Sequence, residues 1–467
     1  MSNSKTHILV FPYPAQGHML PLLDLTHHLA LQTTLTITII ITPKNLPTLT
    51  PLLSTHPNTI QTLILPFPSH PKIPSGAENI REVGNSGNYP FINALSNLQN
   101  LIIQWFNTHH NPPVALISDF FLGWTHQLAT RLSIPRIAFY SSGALLTSVI
   151  NYCWKDPLLF QSREVTNFAE IHGMPSFPRD HLPSLFRRYI ESDPESEFIK
   201  ESFVSNSLSW GFVFNTFRAL EGPYLDQLEA QFGNRRVFAV GPLGYSRVKS
   251  DQDEGSEVLR WLDRLDEEGS VLYVCFGSQK VMRKEQMEAL AFGLERSGTR
   301  FVWVVKEAST AEQVEKGYAL VPDGFEDRVS GRGIVVKSWA PQLAILGHRM
   351  VGGFLSHCGW NSVLEAVVAG VGILGWPMEA DQYVNARLLV EDMGVAVRVC
   401  EGADSVPDPD QLGRVISAVM SGDSSQKRRA KLMKEEAVGA VSKDGVSFKE
   451  LNELIQALKQ LGVKEGS

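Results

Sequence analysis

Two side chains in the first third of the chain have the types that general-base chemistry requires. His18 lies in PAQGHMLPLL, where a strand-to-helix turn is predicted, and Asp119 ends the apolar run VALISD. A histidine in such a turn can take up a proton near neutral pH, and a carboxylate among apolar residues needs a partner because its burial alone is costly. The pair indicates a base oriented by a carboxylate, as in a hydrolase triad without the nucleophile. A solvated loop histidine and a helix N-cap are the alternative interpretations.

The densest set of polar side chains lies between residues 339 and 382. A predicted strand, VGGFLSH, is followed by the loop CGWN and the helical segment SVLEAVVAG. Because a helix N-terminus presents free N–H groups and a positive dipole end, this loop predicts an anion site at His357, Asn361 and Ser362. Glu365, expected in the first helical turn, can accept two hydrogen bonds from a ribose diol or compensate the helix dipole.

Other residues near this segment also suit a nucleotide sugar, and each has a structural alternative. Trp339 can offer a flat face to a base or fill the core. Asp381 and Gln382 suit sugar hydroxyls or cap a turn. Gly277 and Ser278, after the predicted strand VLYV, can contact a phosphate, although a glycine–serine turn is weak evidence by itself.

Other patterns resemble ligand sites but fail on context. GVGILG at 370–375 follows a predicted helix and leads into a strand, whereas a dinucleotide fingerprint follows a strand and opens a helix. This order argues against a nicotinamide oxidoreductase. Acidic runs at 251–253 and 408–410 lie in polar, loop-like sequence, and no histidine pair has partners at zinc-ligand spacing. We therefore expect no metal site and no cofactor.

Alternating strands and helices must position these residues. HILVF precedes a helical segment that begins near Met19 with Pro21 in its first turn, and LTITIII follows. The later predicted strands are VALISD, RIAFYS, FVFNTF, SVLYVCFGS, TRFVWVV, GIVVKSWA, VGGFLSH and VGILGWP. Such alternation predicts an α/β fold with doubly wound parallel sheets. In these sheets ligands bind beyond the carboxyl ends of the strands.

Length and one polar segment predict two domains. A chain of 467 residues is too long for one ordinary core, and YSRVKSDQDEGSE reads as a linker. We predict an N-terminal domain at 1–242, a linker at 243–257, a C-terminal domain at 258–445 and an amphipathic helical tail at 446–467. Two such domains suggest a cleft between them, and on pattern alone the tail is a packing helix.

Composition narrows the functional class. The formal net charge is −7, with 19% charged residues, and without a basic stripe we expect no nucleic-acid partner. Four dispersed cysteines without a CxxC pair fit a reducing compartment. The longest apolar run is shorter than the roughly 20 residues that a membrane span needs, and the N-terminus lacks a signal-peptide core. We expect a soluble, cytoplasmic monomer.

The stretch from Trp339 to Gln382 resembles the 44-residue signature box of plant secondary-product UDP-glycosyltransferases. WAPQ, HCGWNS, a glutamate three residues later, WP and DQ stand in the order of that box. PAQGH, the strand-ending aspartate and FGS extend the resemblance over the chain. PKNLP, LPFPSHPKIPSG and SDFFLGW look closest to a subgroup acting on flavonols and hydroxybenzoates. The resemblance implies two Rossmann-like domains facing a cleft, the GT-B fold, and a last helix that returns to the N-terminal domain.

The resemblance also implies a role for each matching residue. His18 is the base and Asp119 its orienting partner. The implied donor contacts are Trp339 and Ala340 to uracil, Gln342 and Glu365 to ribose, Ser278, His357, Asn361 and Ser362 to the diphosphate, and Trp360, Asp381, Gln382 and Ser141 to the sugar. Acceptors bind mainly in the N-terminal domain, where we expect Phe91, Phe120, Phe121 and Tyr140 to form an aromatic-friendly pocket.

These implications predict an inverting, metal-independent O-glycosyltransferase. Its substrates are a UDP-sugar and a phenolic hydroxyl or carboxyl of a small plant metabolite, such as a flavonoid or hydroxybenzoate. Gln382 and Trp360 indicate glucose, while UDP-rhamnose and UDP-xylose stay open. A non-catalytic UDP-sugar-binding protein is a second alternative, against which the presence of both His18 and Asp119 argues.

One position departs from the family pattern. Gly372 stands where a proline usually follows Gly370 and Val371. Because proline stiffens a turn, we expect a looser approach to Asp381, without loss of activity.

Overall fold

The computed structural model describes residues 5–32, 34–168, 173, 176–233, 235–244, 256–308, 310–337, 339–422 and 424–462. The chain divides into two compact units. The N-terminal unit comprises residues 1–243 with 440–467, and the C-terminal unit comprises residues 244–439. Most of the predicted linker, residues 245–255, lies outside the described residues.

Most strands of the N-terminal unit form one parallel sheet. The strands are β1 (Thr6–Phe11), β2 (Leu35–Ile41), β3 (Ile60–Ile64), β4 (Ala115–Asp119), β5 (Arg136–Tyr140), β6 (Val165–Thr166), β7 (Phe177–Pro178), β8 (Gly211–Phe214) and β9 (Arg236–Ala239). The order in the sheet is β3-β2-β1-β4-β5-β8-β9, and β6 pairs with β7 separately. The predicted strands of this half are therefore confirmed. β3 was not predicted because its alternating, half-exposed residues lack a continuous apolar run.

Helices connect these parallel strands. They are α1 (Gln16–Ala30), α2 (Thr50–Thr55), α3 (Asn88–Ser96), α4 (Gln99–Thr108), α5 (Thr125–Arg131), α6 (Ala144–Cys153), α7 (Pro157–Ser162), α8 (Ser184–Arg187), α9 (Pro194–Ser205) and α10 (Arg218–Gln231). The predicted start of α1 near Met19 is wrong. The helix begins at Gln16 and Pro21 lies inside it, so His18 lies in the first helical turn rather than in a loop.

The C-terminal unit repeats the same design. Its strands are β10 (Val271–Cys275), β11 (Arg300–Val305), β12 (Gly333–Lys337), β13 (Val351–Ser356), β14 (Gly372–Gly375) and β15 (Ala396–Arg398). The parallel order is β12-β11-β10-β13-β14-β15. The helices are α11 (Glu257–Asp263), α12 (Lys284–Ser297), α13 (Ala311–Glu315), α14 (Phe325–Arg328), α15 (Gln342–Leu346), α16 (Trp360–Ala369), α17 (Gln382–Arg387), α18 (Pro409–Met420) and α19 (Ser425–Val441).

The glycine-rich run at 370–375 is structural, as its sequence context predicts. Gly370 ends α16 with a φ of 74°, a left-handed conformation that glycine adopts readily. Gly372, which replaces the usual proline, is the first residue of β14 and pairs with Gly353. This position therefore belongs to a paired strand rather than to a free turn, and the looser approach to Asp381 stays a prediction.

Both sheets reverse their strand order at one point. In the N-terminal unit the reversal lies between β1 and β4, and in the C-terminal unit between β10 and β13. Two doubly wound, Rossmann-like units confirm the predicted fold class. The carboxyl ends of the strands at a reversal leave a crevice where ligands bind, so each unit has one favoured place for a site.

The last described helix, α20 (Val446–Gly462), packs on the N-terminal unit. Leu454, Ile455 and Leu458 join the apolar core formed by the sheet and α1. The Glu450 carboxylate accepts hydrogen bonds from Arg218 Nε at 2.6 Å and from the Ala239 N–H. Within the described part of the chain, every helix is too short or too polar to traverse a bilayer.

Candidate functional site

His18 and Asp119 meet at the strand-order reversal of the N-terminal sheet. α1 carries His18 directly after β1, and Asp119 ends the neighbouring β4. Nδ1 of His18 lies 3.0 Å from both carboxylate oxygens. Asp119 is fully buried, whereas 19% of the His18 side chain is exposed. Because the carboxylate accepts a proton donor at Nδ1, Nε2 is the nitrogen left to take up a proton.

Asp119 also acts as an N-cap, which is the alternative role that its position in the sequence predicted. Its Oδ1 accepts the Phe121 N–H at 2.9 Å and caps the short 3-10 turn Phe120–Leu122. One carboxylate therefore fixes both the backbone after β4 and the imidazole above it. The turn capping explains how an apolar strand can end in a buried charge, since each oxygen has a hydrogen-bond donor.

Ser141 lies next to this pair in the N-terminal unit. It follows β5, is 5% exposed, and its Oγ lies 3.1 Å from Nδ1 of His18. Its contact with a sugar stays a prediction. The contact with the histidine was not predicted, because the sequence does not show that β5 lies next to β4.

Aromatic rings surround the His18 imidazole. Phe120 stacks on it with ring centroids 5.5 Å apart, and Phe121 lies at 4.3 Å. Tyr13 packs edge-on at 5.3 Å, a neighbour that sequence reasoning missed although it lies five residues away. Tyr140 stacks on Phe120 at 5.1 Å. Phe120 and Phe121, two of the four predicted acceptor residues, thus contact the histidine, and Tyr140, only 2% exposed, lies behind Phe120.

Phe91 is the fourth predicted acceptor residue, and the structure contradicts that role. Its side chain is 0% exposed and packs against Phe67 with ring centroids 4.9 Å apart. A ring without accessible surface cannot contact a ligand directly. α3, which carries Phe91, has a buried apolar face, so this phenylalanine is a core residue.

A histidine between two glycines lies at the strand-order reversal of the C-terminal sheet. His357 follows β13, and Gly277 follows the adjacent β10. A Cβ atom would lie 2.8 Å from Nε2 of His357 if added at Gly277, and 2.7 Å from it if added at Gly359. A side chain at either glycine would therefore displace the His357 ring. Ser278, the next residue in the same turn as Gly277, is exposed. The glycine–serine turn predicted from the sequence therefore lies where the backbone passes close to the His357 ring.

The His357 ring is neutral at physiological pH. Burial lowers its pKa to about 4, and its buried Nδ1 has no hydrogen-bond partner among the described residues. A neutral imidazole carries its proton on one nitrogen only. A proton on Nδ1 would leave a buried N–H group without an acceptor, whereas a proton on Nε2 would not. Nε2 is therefore the nitrogen that can donate to an anion.

The N-terminus of α16 adjoins this histidine. Asn361 and Ser362 lie in its first turn, and Gly359 at the N-cap lacks a side chain to cap the helix. Asp381 Oδ2 accepts the Trp360 N–H at 3.3 Å and the Asn385 amide at 2.7 Å. Asp381 therefore fixes the N-terminus of α16. Neither of the two roles predicted for Asp381, a sugar contact and a turn cap, includes this contact.

The two residues predicted to hold a ribose contact each other. Gln342 Nε2 donates to Glu365 Oε2 at 2.5 Å and to Ser362 Oγ at 3.2 Å. Glu365 is the sixth residue of α16, and the first turn contains no acidic residue. The expectation that Glu365 compensates the helix dipole is therefore wrong, since that effect fades beyond the first turn.

The structure separates the alternatives for Trp339 and Gln382. Trp339 follows β12 and is 72% exposed, so the core interpretation is wrong, whereas the adjacent Ala340 is buried. Gln382 Oε1 accepts the N–H groups of Met378 at 2.9 Å and Glu379 at 3.1 Å. The Gln382 oxygen therefore forms the predicted turn cap, and Nε2 of the same side chain can donate to a ligand.

The acidic runs do not form a metal centre in the described part of the chain. Asp408 caps α18 by accepting the Gln411 N–H at 2.8 Å, and Asp410 pairs with Arg296. The run at 251–253 lies outside the described residues. Among the residues that the structure describes, no group of three or more His, Cys, Asp or Glu is placed to hold a metal ion.

Comparison with known proteins points to one family. Residues 238–432 match the family model for UDP-glucoronosyl and UDP-glucosyl transferase. UDP-glycosyltransferase 89A2 of Arabidopsis thaliana is 50% identical over 466 residues, which cover 98% of this chain and 97% of that protein. Flavonol 3-O-glucosyltransferase UGT89B1 of Arabidopsis thaliana is 48% identical, covering 99% and 98%.

Solved structures agree with these sequence relatives. Crystal structures of Arabidopsis thaliana UGT89C1, complexed with UDP-L-rhamnose and with quercetin, match with TM-scores of 0.78 and 0.79. Their sequence identities to this chain are 35% and 34%. Each match covers 97% of this chain and 99% of the other, so the similarity extends over both units.

Proposed function

The chain belongs to the family of UDP-dependent glycosyltransferases, and from this premise we propose that it transfers glucose from UDP-glucose to a small phenol. The acceptor is a hydroxyl or carboxyl of a flavonoid or hydroxybenzoate, and the reaction inverts the anomeric carbon on a GT-B scaffold. The observation that carries the proposal is the contact of 3.0 Å between His18 Nδ1 and the Asp119 carboxylate.

Proton removal is the step that we assign to this pair. Asp119 holds the proton on Nδ1, so Nε2 takes the proton of the acceptor hydroxyl as its oxygen attacks the anomeric carbon. The new glycosidic bond forms while the bond from that carbon to the β-phosphate oxygen breaks. UDP leaves with the bonding electron pair. A single displacement from the opposite face inverts the configuration.

Leaving-group stabilisation is the step that we assign to the C-terminal unit. Charge grows on the diphosphate oxygens as the bond breaks, and prearranged donors lower the energy of that state. Because the Trp360 N–H donates to Asp381, we assign this role to the Ser362 N–H and hydroxyl and to Nε2 of His357. Trp339 stacks on uracil, and the Gln342–Glu365 pair binds the ribose.

A metal ion is not needed in this proposal, because the helix N-terminus supplies positive potential at the diphosphate. We further propose that the protein acts as a cytoplasmic monomer. Its four cysteines are unpaired, which agrees with a reducing compartment. Light scattering of the purified protein tests the monomer, and the transfer rate in excess EDTA tests the metal independence.

The choice of glucose rests on Gln382 and Trp360 and on the flavonol glucosyltransferase among the relatives. Rhamnose is the second candidate, because UGT89C1 was crystallised with UDP-L-rhamnose, and xylose is the third. The aromatic rings at His18 and the flavonols named for these relatives support a phenolic acceptor.

The test is product formation from defined donors. Purified protein is incubated with UDP-glucose, UDP-rhamnose or UDP-xylose and with phenols that include a flavonol and a hydroxybenzoate. Glycoside mass, UDP release and the configuration of the anomeric proton are measured. A β-glucoside supports the proposal. UDP binding without any glycoside indicates the non-catalytic alternative, and absence of UDP binding contradicts both.

Trp339→Ala is expected to weaken UDP binding by about 5- to 150-fold, since base–aromatic stacking contributes roughly 1–3 kcal/mol. Trp339→Phe keeps an aromatic face and should recover most of the affinity. Isothermal titration with UDP measures both variants. An affinity that is unchanged in Trp339→Ala would show that this exposed ring does not contact the base.

Gly277→Ala is expected to weaken UDP binding by roughly tenfold or more, because displacing a contact by 1 Å can be costly. Its Cβ would lie 2.8 Å from Nε2 of His357. Gly298→Ala is the matched control, because Gly298 also has a positive φ, of 68°, but a Cβ atom added there would meet nothing within 4 Å. Both variants should lose about 1–2 kcal/mol of stability, and only Gly277→Ala should lose UDP affinity. Equal affinities would contradict the role of His357.

A further inference from the structure

A buried arginine lies next to the carboxyl end of β4. Arg136 is the first residue of β5, which pairs with β4, and only 2% of it is exposed. Burial lowers its pKa to about 10, and the charge of Asp119 acts in the opposite direction. The guanidinium is therefore charged at neutral pH. A buried cation is costly unless its donors are satisfied, so its contacts show what it holds.

The guanidinium donates to both sides of the strand end. Nε donates to Ser118 Oγ at 2.9 Å, and Nη2 donates to the Asp119 carbonyl at 3.3 Å. Nη1 donates to Asn206 Oδ1 and to Ser209 Oγ, each at 2.9 Å. Arg136 thereby ties the last two residues of β4 to the segment after α9.

Asn206 extends this network by one residue. Its Nδ2 donates to the Phe120 carbonyl at 2.8 Å while its Oδ1 accepts from Arg136. Arg136 therefore holds residues 118 and 119 directly, and it holds residue 120 through Asn206. These are the residues that place the Asp119 carboxylate and the ring that stacks on His18.

The hydrogen bonds of the guanidinium do not neutralise its charge. Each of the acceptors named above is a neutral hydroxyl, amide or peptide oxygen. The positive field of Arg136 therefore acts on the Asp119 carboxylate, and the low local dielectric strengthens that interaction. The hydrogen bonds and this attraction both hold the end of β4 in place next to the imidazole.

We propose that Arg136 is a positioning residue for the transfer reaction, acting through Asp119 to orient its carboxylate next to His18. This inference rests on the function proposed above, in which the His18–Asp119 pair removes the acceptor proton. It predicts that Arg136 matters for the rate only while Asp119 is present. A purely structural arginine would instead affect the rate whether or not the carboxylate is there.

The test is a double-mutant cycle on the full-length protein, with Arg136→Gln, Asp119→Asn and the double variant. We measure kcat and KM with UDP-glucose and a phenol, and the Kd for UDP. Arg136→Gln should lower kcat by roughly tenfold or more, because hydrogen bonds to charged groups are strong. Its KM for UDP-glucose should change by less than about twofold. In the Asp119→Asn background the same change should cost less than about twofold.

Two further variants separate position from general packing. Arg136→Lys keeps the charge without the planar fork and should recover part of the lost rate. Arg235→Gln is the matched control, because Arg235 donates to the carbonyls of Ser207 and Ser209 from an exposed position. Its rate should stay within about twofold of the wild type.

Additive losses in the cycle, or an equal loss in Arg235→Gln, would overturn the inference and leave the proposed function intact. An undiminished rate in Asp119→Asn would overturn both. Thermal unfolding checks that each variant is folded. If Arg136→Gln does not fold, Ser118→Ala removes one acceptor of the guanidinium with less disruption. The same dependence on Asp119 is expected for it, with a smaller loss of kcat, and an additive loss would again overturn the inference.

Discussion

His18→Ala is expected to lower the rate of glycoside formation by roughly 10²–10⁴-fold, the usual contribution of a general base. UDP affinity should change by less than about twofold, because His18 lies in the N-terminal unit and the residues predicted to hold UDP lie in the C-terminal one. A phenol of low pKa should lose less than a phenol of high pKa, since its proton needs less assistance. Single-turnover rates with UDP-glucose and a series of substituted phenols measure both effects.

His27→Ala is the matched control for this prediction. His27 lies on the same helix, α1, and its ring contacts His56 at 2.8 Å. Removing it should leave the rate within about twofold of the wild type. If His18→Ala keeps more than a tenth of the activity with every phenol, His18 is not the base.

Asp119→Asn is expected to lower the rate by about 10²–10⁴-fold, as loss of an orienting carboxylate does in hydrolase triads. Asparagine can keep its oxygen on the Phe121 N–H, the contact of 2.9 Å that caps the turn. Its amide NH₂ group then faces Nδ1 of His18, which must act as an acceptor. The proton moves to Nε2, and the nitrogen that should take the acceptor proton is no longer free.

The control for this substitution is Asp156→Asn. Asp156 caps α7 by accepting the Leu159 N–H at 3.1 Å, so the same change occurs at an N-cap without a histidine. Steady-state kcat values and thermal unfolding are measured for both variants. Similar small losses of activity in both would mean that Asp119 serves the protein only as a turn cap.

Sequence patterns predicted the strands and the polar residues after them, because both depend on neighbours along the chain. Apolar runs such as LTITIII and VGGFLSH became β2 and β13. The glycine-rich run at 370–375 was correctly separated from a dinucleotide motif by its order relative to α16. Errors arose where a local pattern suited two environments, as for Phe91, whose aromatic ring fits a pocket and a core equally well.

The candidate pair required the tertiary structure, because residue spacing does not show which strands adjoin. His18 and Asp119 are 101 positions apart, and the adjacency of β1 and β4 brings them to 3.0 Å. The same holds for Gly277 beside His357, whose contact follows from the adjacency of β10 and β13.

By itself, the sequence determined the α/β class and the family that the chain resembles, and it supplied the residues predicted to carry chemistry, since these follow from local periodicity and fixed motif spacing. Only the tertiary structure decided that Ser141 contacts the histidine, that Phe91 is a core residue and that Arg136 donates to the Asp119 carbonyl. The physical reason is that burial and long-range hydrogen bonds depend on how sheets and helices pack. Packing brings together residues whose separation along the chain carries no signal of their contact.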